Sequence, residues 1–269
     1  MQQHPPTTKA SASSPSKAPV CPFCGHRLDL VWQGTFCFWK PCDCEGAKAA
    51  EQAQAVKAAQ EHAVAMALAR ERRYRRAGIP ERWYTELKSP YDAGARSICT
   101  AAEQGTGTWL IGDVGLGKTR AVMGAAMAFV DRRAITMGSG TSAVTVEGAK
   151  VRCITEEDVL EAAGSAFGKK ASFEDFIKDT STCDLLVIDD LGKAKPSPWN
   201  VSKLFSVVDG RYSARKPLVV TSQYGPSDLI ARLSQEGEAK TAKALVSRLC
   251  SMCDRKQLQG KDHRLEVCR

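Results

Sequence analysis

The chain has 269 residues and a mass of 29.1 kDa, room for one full-sized domain plus a small companion, or for two modest domains, but not for a multi-domain machine. Apolar residues at 43% and charged residues at 25% supply an ordinary core and exclude disorder throughout. The formal charge of +8, from 38 Lys and Arg against 30 Asp and Glu, favours a polyanionic partner over a basic one.

Residues 1–20 are rich in Pro, Ser, Thr and Ala and read as a disordered tail without the apolar stretch of a secretory signal. The longest nearly uncharged apolar run, Ala121 to Val130, is too short for a bilayer core, which needs about 20 helical residues. A cytoplasmic protein is expected. In that reducing compartment the 11 cysteines point to metal rather than to a disulfide framework.

Residues 21–45 hold CPFCGHRLDLVWQGTFCFWKPCDC and read as a crosslinked knuckle. Cys21 and Cys24 have the spacing with which two thiolates grip a tetrahedral Zn²⁺, and Cys42 and Cys44 offer a second pair. His26 and Cys37 are further candidates, and free thiols are the alternative to zinc. Four thiolates would close the coordination shell, making the site structural.

Residues 46–77, rich in Ala, Gln, Glu, Lys and Arg, are predicted as one helix that links domains or docks a partner. Its end collects Arg70, Arg72, Arg73, Arg75 and Arg76. Two readings stand: cations complementing the helix dipole on a solvated face, or a patch for phosphates or a partner. Gly78 and Pro80 then stop the helix.

From residue 78 onward strands and helices alternate, as a parallel sheet requires. Strands are predicted at Thr108–Ile111, Val151–Thr155, Leu185–Asp189 and Pro217–Thr221. The stretch Met137 to Gly148 is expected to be a surface hairpin or loop with no assigned role. Lys240 to Cys253 is predicted helical.

After the strand TWLI come Gly112, Asp113, Val114, Gly115, Leu116, Gly117, Lys118 and Thr119, followed by a helix from Arg120 to Val130. Glycines at this spacing let backbone amides wrap phosphates at a positive helix end. Lys118 would reach the β and γ phosphates of ATP, and the Thr119 hydroxyl would ligate Mg²⁺. A second acidic site belongs at the end of another core strand, where Asp189 faces the Mg²⁺ and Asp190 polarises the attacking water. Thr221, Ser222 and Gln223 place polar groups where the γ-phosphate could be sensed. Arg248, in the last predicted helix, is a candidate finger for a neighbouring subunit's γ-phosphate.

The run of RRAGIPERW (Arg75 to Trp83), GDVGLGKT (Gly112 to Thr119), LLVIDDLG (Leu185 to Gly192), GRYSARKPLVVTSQ (Gly210 to Gln223), LVSRL (Leu245 to Leu249) and GKDHR (Gly260 to Arg264) resembles the DnaC-type helicase loaders of the AAA+ ATPases. The resemblance implies a P-loop α/β fold at 78–269, with a five-stranded parallel sheet flanked by helices and ATP and Mg²⁺ bound between subunits of an oligomer. It implies Walker A roles for Lys118 and Thr119, the Walker B metal residue in Asp189, the water activator in Asp190, sensor one in Gln223 and the trans-acting finger in Arg248. Two positions depart from the pattern. Gln223 stands where Asn is usual, one methylene longer, and Asp190 stands where AAA+ proteins generally have Glu, so slow hydrolysis is expected.

Such loaders place a hexameric replicative helicase of the DnaB type on single-stranded DNA during replication initiation. The resemblance therefore implies helicase docking by the amino-terminal module and DNA contact by the ATPase domain. An IstB-type helper of a transposase shares nearly every ATPase motif, and a nucleotide-gated adaptor without hydrolysis is a rival of another class. No base-reading module is apparent.

Overall fold

The computed structural model describes residues 18–34, 36–86, 92–132, 135–137, 144–146, 148–165 and 173–262. Most of the predicted tail, most of the Met137 to Gly148 stretch, Cys268 and the end of the GKDHR motif lie outside the described residues. Two compact units divide the chain between Ala65 and Met66, inside a helix.

The smaller unit begins with a turn in which Cys21 N–H donates to His26 O and Gly25 N–H to Cys21 O. Gly25 adopts φ +73°, a left-handed conformation that costs a residue with a Cβ. Strands β1 (Leu30–Gln33) and β2 (Phe36–Trp39) form an antiparallel hairpin. Helix α1 (Glu45–Arg76) then starts one residue after Cys44. Among the described residues of this unit only Cys21 is buried, so it has no apolar core of its own.

The larger unit contains the end of α1, then α2 (Glu81–Glu86), α3 (Ala93–Glu103), β3 (Gly107–Ile111) and α4 (Lys118–Arg132). Short strands β4 (Ile135–Met137) and β5 (Val144–Val146) pair antiparallel, in line with the hairpin expected there. Next come β6 (Val151–Thr155), α5 (Glu156–Ser165), α6 (Phe173–Thr182), β7 (Leu185–Leu191), α7 (Pro198–Ser213), β8 (Leu218–Ser222), α8 (Pro226–Leu233), α9 (Ala239–Met252) and β9 (Cys253–Gln257). Two helices start where a side chain satisfies an open amide: Asp92 accepts from Ala95 N–H at 2.7 Å, and Ser197, before Pro198, accepts from Asn200 N–H at 3.1 Å.

The sheet has five parallel strands in the order β6-β7-β8-β3-β9. Because successive strand residues face opposite sides, its central strands feed two cores. Leu110, Leu185, Val187 and Val219 pack with α3, α4 and Tyr74 of α1. Trp109, Ile111, Leu186, Ile188, Leu218 and Val220 pack with α7, α8 and α9. Arg211 is fully buried and donates to the carbonyls of Thr180, Ser181, Cys183, Asp184 and Pro217, tying the ends of α6, α7 and the strands together.

The four strands predicted from residue patterns are present, three of them shifted or extended by a residue or two. The fifth, β9, takes over at Cys253, where the helix prediction ended. Cys99, Cys153, Cys183 and Cys253 are buried and Cys250 is exposed, as expected of scattered small side chains.

Candidate nucleotide-binding site and cysteine cluster

Parallel strands bring their carboxyl ends to one edge of the sheet, and three adjacent strands deliver the site there. The loop after β3 carries Gly112, Gly115 and Gly117 at φ +157°, +81° and +79°. A Cβ on Gly117 would meet nothing within 4 Å, so glycine is required there by backbone conformation rather than by crowding. Asp113, Val114 and Leu116 complete the loop, and α4 opens at Lys118, two residues earlier than predicted. Lys118 is buried, with Nζ donating to Gly112 O at 2.8 Å and Asp113 O at 2.7 Å. Thr119 Oγ1 lies 3.2 Å from Asp189 Oδ1, bringing together a hydroxyl and a carboxylate of the kind that hold Mg²⁺.

The regular pairing of β7 with β8 breaks between Ile188 and Leu191, and Asp190 sits there at φ +58°. An irregularity of this kind re-aims side chains. Thr221 Oγ1 donates to Asp189 Oδ1 at 2.6 Å and accepts from Asp190 N–H at 2.8 Å. Burial pushes the Asp189 carboxyl above its usual range and the Asp190 charge adds to this, while hydrogen bonds from Thr221 and Thr119 and the Lys118 charge pull it down. A divalent cation between Thr119 and Asp189 would offset that burial cost, so the donor set fits one.

A cavity of about 440 Å³ opens over the loop, lined by Gly115, Gly117, Lys118, Thr119, Arg120, Asp190 and Gln223 together with Trp83, Val114 and Lys193. Gln223 thus joins the site. Thr221 and Ser222 do not face it: Thr221 holds the carboxylate pair, and Ser222 Oγ donates to Leu191 O and accepts from Tyr224 N–H. Arg248, on α9, does not line this cavity in its own chain. Its Nε donates to Asp209 Oδ1 at 2.6 Å and its guanidinium lies 4.5 Å from the Phe205 ring centre.

Several residues here had no role assigned from sequence. Trp83 carries Arg82 over its ring at 4.9 Å, and its buried Nε1 has no hydrogen-bond partner among the described residues. Glu156, buried at the start of α5, accepts from the N–H groups of Gly192 and Ala194, and Arg232 donates to the carbonyls of the same two residues. Together they grip the loop that bears Lys193. Burial raises the Glu156 carboxyl, and the loop amides oppose that rise. Asp262 stands against Gly115, where a Cβ would collide with its carboxylate. Trp83 and Asp262 fall inside quoted motifs, whereas nothing local in the sequence marks Glu156.

In the smaller unit the sulfurs of Cys21, Cys24, Cys42 and Cys44 all lie within 4.8 Å of one another. Cys21 and Cys44 are 3.7 Å apart, and Cys24 and Cys42 3.5 Å. A tetrahedral zinc with bonds of about 2.3 Å places its sulfurs about 3.8 Å apart, so the cluster fits. Ala47 N–H donates to Cys44 Sγ at 3.4 Å, the open end of α1 favouring a thiolate. The Phe23 N–H brings the Cys21 thiol down to about 7 against its burial, with help from the Cys24 N–H and neighbouring thiols. The His26 N–H draws Cys24 down too, but Cys42, burial and the other thiols outweigh it, leaving Cys24 pushed up to about 12. His26 and Cys37 stand outside the four-sulfur group; Cys37 sits in β2 opposite Trp32.

The family described as IstB-like ATP binding protein matches residues 97–269, which include the phosphate loop, both carboxylates and Gln223. The chain belongs to that family. It is a P-loop ATPase of the AAA+ type. This IstB-like chain is similar in fold to the solved structure of DnaI, at 18% identity over 63% of this chain and 87% of the other, with a TM-score of 0.47. It is similar to the DnaC helicase loader at 19% identity over 67% and 100%, with a TM-score of 0.49. For AMPPCP-bound DnaA from Aquifex aeolicus the values are 18%, 67%, 53% and 0.48. No curated protein matches the IstB-like chain. Among its described residues no helix is long and apolar enough to cross a membrane.

Proposed function

We propose that this ATPase loads a hexameric replicative helicase onto single-stranded DNA, with residues 21–45 as a structural zinc knuckle, 46–77 as a docking helix and 78–269 as the motor. The observation that carries this reading is a four-cysteine module joined to an IstB-like ATPase by one long helix. A site that closes all four positions around a metal leaves none for substrate, so the module serves recognition rather than chemistry. The names of the DnaC helicase loader and of DnaA bound to single-stranded DNA are in keeping with such partners.

In this mechanism the amides of Gly112–Thr119 hold the β and γ phosphates, and Lys118 leaves the Gly112 and Asp113 carbonyls to meet their charge. Mg²⁺, when bound, would supply positive charge against the negative charge of the triphosphate. Thr119 and Asp189 hold it, Asp190 orients and deprotonates the attacking water, and Gln223 bonds the γ-phosphate side of the cavity. Arg248 exchanges Asp209 for the γ-phosphate of an adjacent subunit once an oligomer forms on the helicase.

The matched family favours a second reading, a helper ATPase that delivers a transposase. Two assays on the intact protein separate them: transfer of a purified hexameric helicase onto protein-coated single-stranded circles, and strand transfer by a transposase. ATP-dependent helicase transfer that fails with Lys118→Ala and with residues 1–77 removed supports the loader. Stimulated strand transfer without helicase transfer overturns it. No ATP turnover above the Lys118→Ala control overturns both in favour of an adaptor.

A further inference from the structure

The cationic end of α1 has a counterpart far away in sequence. A second cavity, of about 340 Å³, lies where α1 ends against the start of β6. Arg73, Arg76, Lys150 and Arg152 line it, together with the small residues Gly148 and Ala149, and among the described residues no carboxylate does. In the parallel pair β6–β7, Val151 stands opposite Leu185 and Thr155 opposite Asp189. The start of β6 is therefore at the edge of the sheet opposite the phosphate loop, about 13 Å of strand away. The two cavities share no residue.

Asp179 takes the side chains of both Lys150 and Arg152, each at 2.5 Å, and Asp184 accepts from the Lys150 N–H at 3.0 Å. Asp131 is shared among Arg70, Tyr74 OH and, at 4.0 Å, Arg73. Arg73 Nε is buried and has no hydrogen-bond partner among the described residues. Four cations line the hollow, and one buried donor there, Arg73 Nε, waits for an acceptor. Such a site selects an anion with several charged oxygens.

We propose that this hollow holds the phosphodiester backbone of DNA. Its volume exceeds that of one phosphate, its Gly and Ala wall admits close approach of a chain, and among the described residues no aromatic side chain lines it to stack a base. Contact is with the backbone alone and is indifferent to sequence. The proposal rests on the DNA-handling part of the function above and is independent of which protein is delivered.

The test uses the full chain, a labelled oligo(dT), and the double variant Arg76→Gln/Lys150→Gln, which leaves Arg152 on Asp179. Binding is followed by anisotropy from about 50 to about 200 mM salt. The expected result is ~10-fold weaker binding at the lower salt and a log–log salt slope reduced by about 0.7 for each contact removed, with nucleotide affinity unchanged. Should the pair lower the melting temperature, Arg76→Glu at an exposed helical position must shift binding in the same direction. Wild-type binding with an unaltered slope in the variants overturns the site, as does absence of oligonucleotide binding. Tighter binding of poly-glutamate, lost in the same variants, overturns it in favour of an acidic protein. A reduced slope alongside failed helicase transfer leaves this site standing and removes only the loader reading.

Discussion

Thr221 governs two consecutive carboxylates with one hydroxyl, donating to Asp189 and accepting from the amide of Asp190. Valine at this position keeps the volume but leaves Asp189 short of a donor and frees Asp190 from its left-handed pose. We predict that Thr221→Val lowers ATP turnover ~10- to 100-fold, the usual effect of losing a group that orients metal-binding residues. Thr221→Ser, which retains the hydroxyl, should stay near wild type. Turnover assays beside fluorescent-nucleotide titration check this: an equal loss in both variants, or a loss of binding alone, contradicts the positioning role.

The same residues show why parts of the site were legible in sequence. Gly115, Gly117 and Lys118 satisfy local demands of backbone and charge that few residue types meet, so their spacing announces them. Glu156 reaches the loop that bears Lys193 only because β6 lies beside β7, a fact of pairing rather than of local pattern. Thr221 and Gln223 were both placed near the phosphate, but the alternation of strand β8 turns the first inward and leaves the second, past the strand end, in the cavity.

At the scale of elements, the turn after α1 is built on Gly78. It sits at φ +77°, where a Cβ would lie 2.5 Å from Cys153 O, while Cys153 N–H donates to Ala77 O at 2.7 Å. Gly78→Ala should destabilise the larger unit by ~2 kcal/mol, through left-handed strain and separation of α1 from β6. Urea unfolding measures it, and a change below about 0.5 kcal/mol would show that the turn relaxes at little cost.

Asp179 joins α6 to β6 by taking both Lys150 and Arg152. Burial raises its carboxyl, but the two cations outweigh that and hold it below the ordinary carboxylate range. Its folded pKa is therefore lower than its unfolded one. The resulting stability is present above the unfolded value of about 4 and disappears as pH falls through the folded value. Partly exposed, the group contributes less than about 1 kcal/mol. The difference in unfolding free energy between wild type and Asp179→Asn should be constant at neutral pH and vanish in acid; a gap that widens on acidification contradicts the assignment.

On the scale of the whole molecule, the two units are stabilised differently. Residues 66–269 have two apolar cores on either face of the sheet, whereas the described part of 1–65 buries only Cys21. A tight zinc chelator should therefore erase amide protection in residues 18–44 and leave nucleotide affinity of the larger unit within about twofold. Hydrogen exchange with and without chelator checks it, and retained protection in the hairpin would refute a metal-dependent fold. The cysteine pairs made this unit readable without a core. The strand β9, in contrast, was hidden: CDRKQ has none of the apolar continuity expected of a parallel strand, because it sits at the sheet edge with only Cys253 buried.

That edge strand has a consequence for biosynthesis. β9 pairs with β3 along its whole length, and Leu258 N–H donates to Ile111 O beside the phosphate loop. Every other strand of the sheet emerges from the ribosome earlier. Until Cys253–Gln257 arrives, one flank of Gly107–Ile111 is bare, exposing unsatisfied amides and carbonyls to any chain nearby. A nascent chain paused at α9 is consequently a ready substrate for holdase chaperones, and ATP has a fully buttressed loop to land on only after this last strand docks.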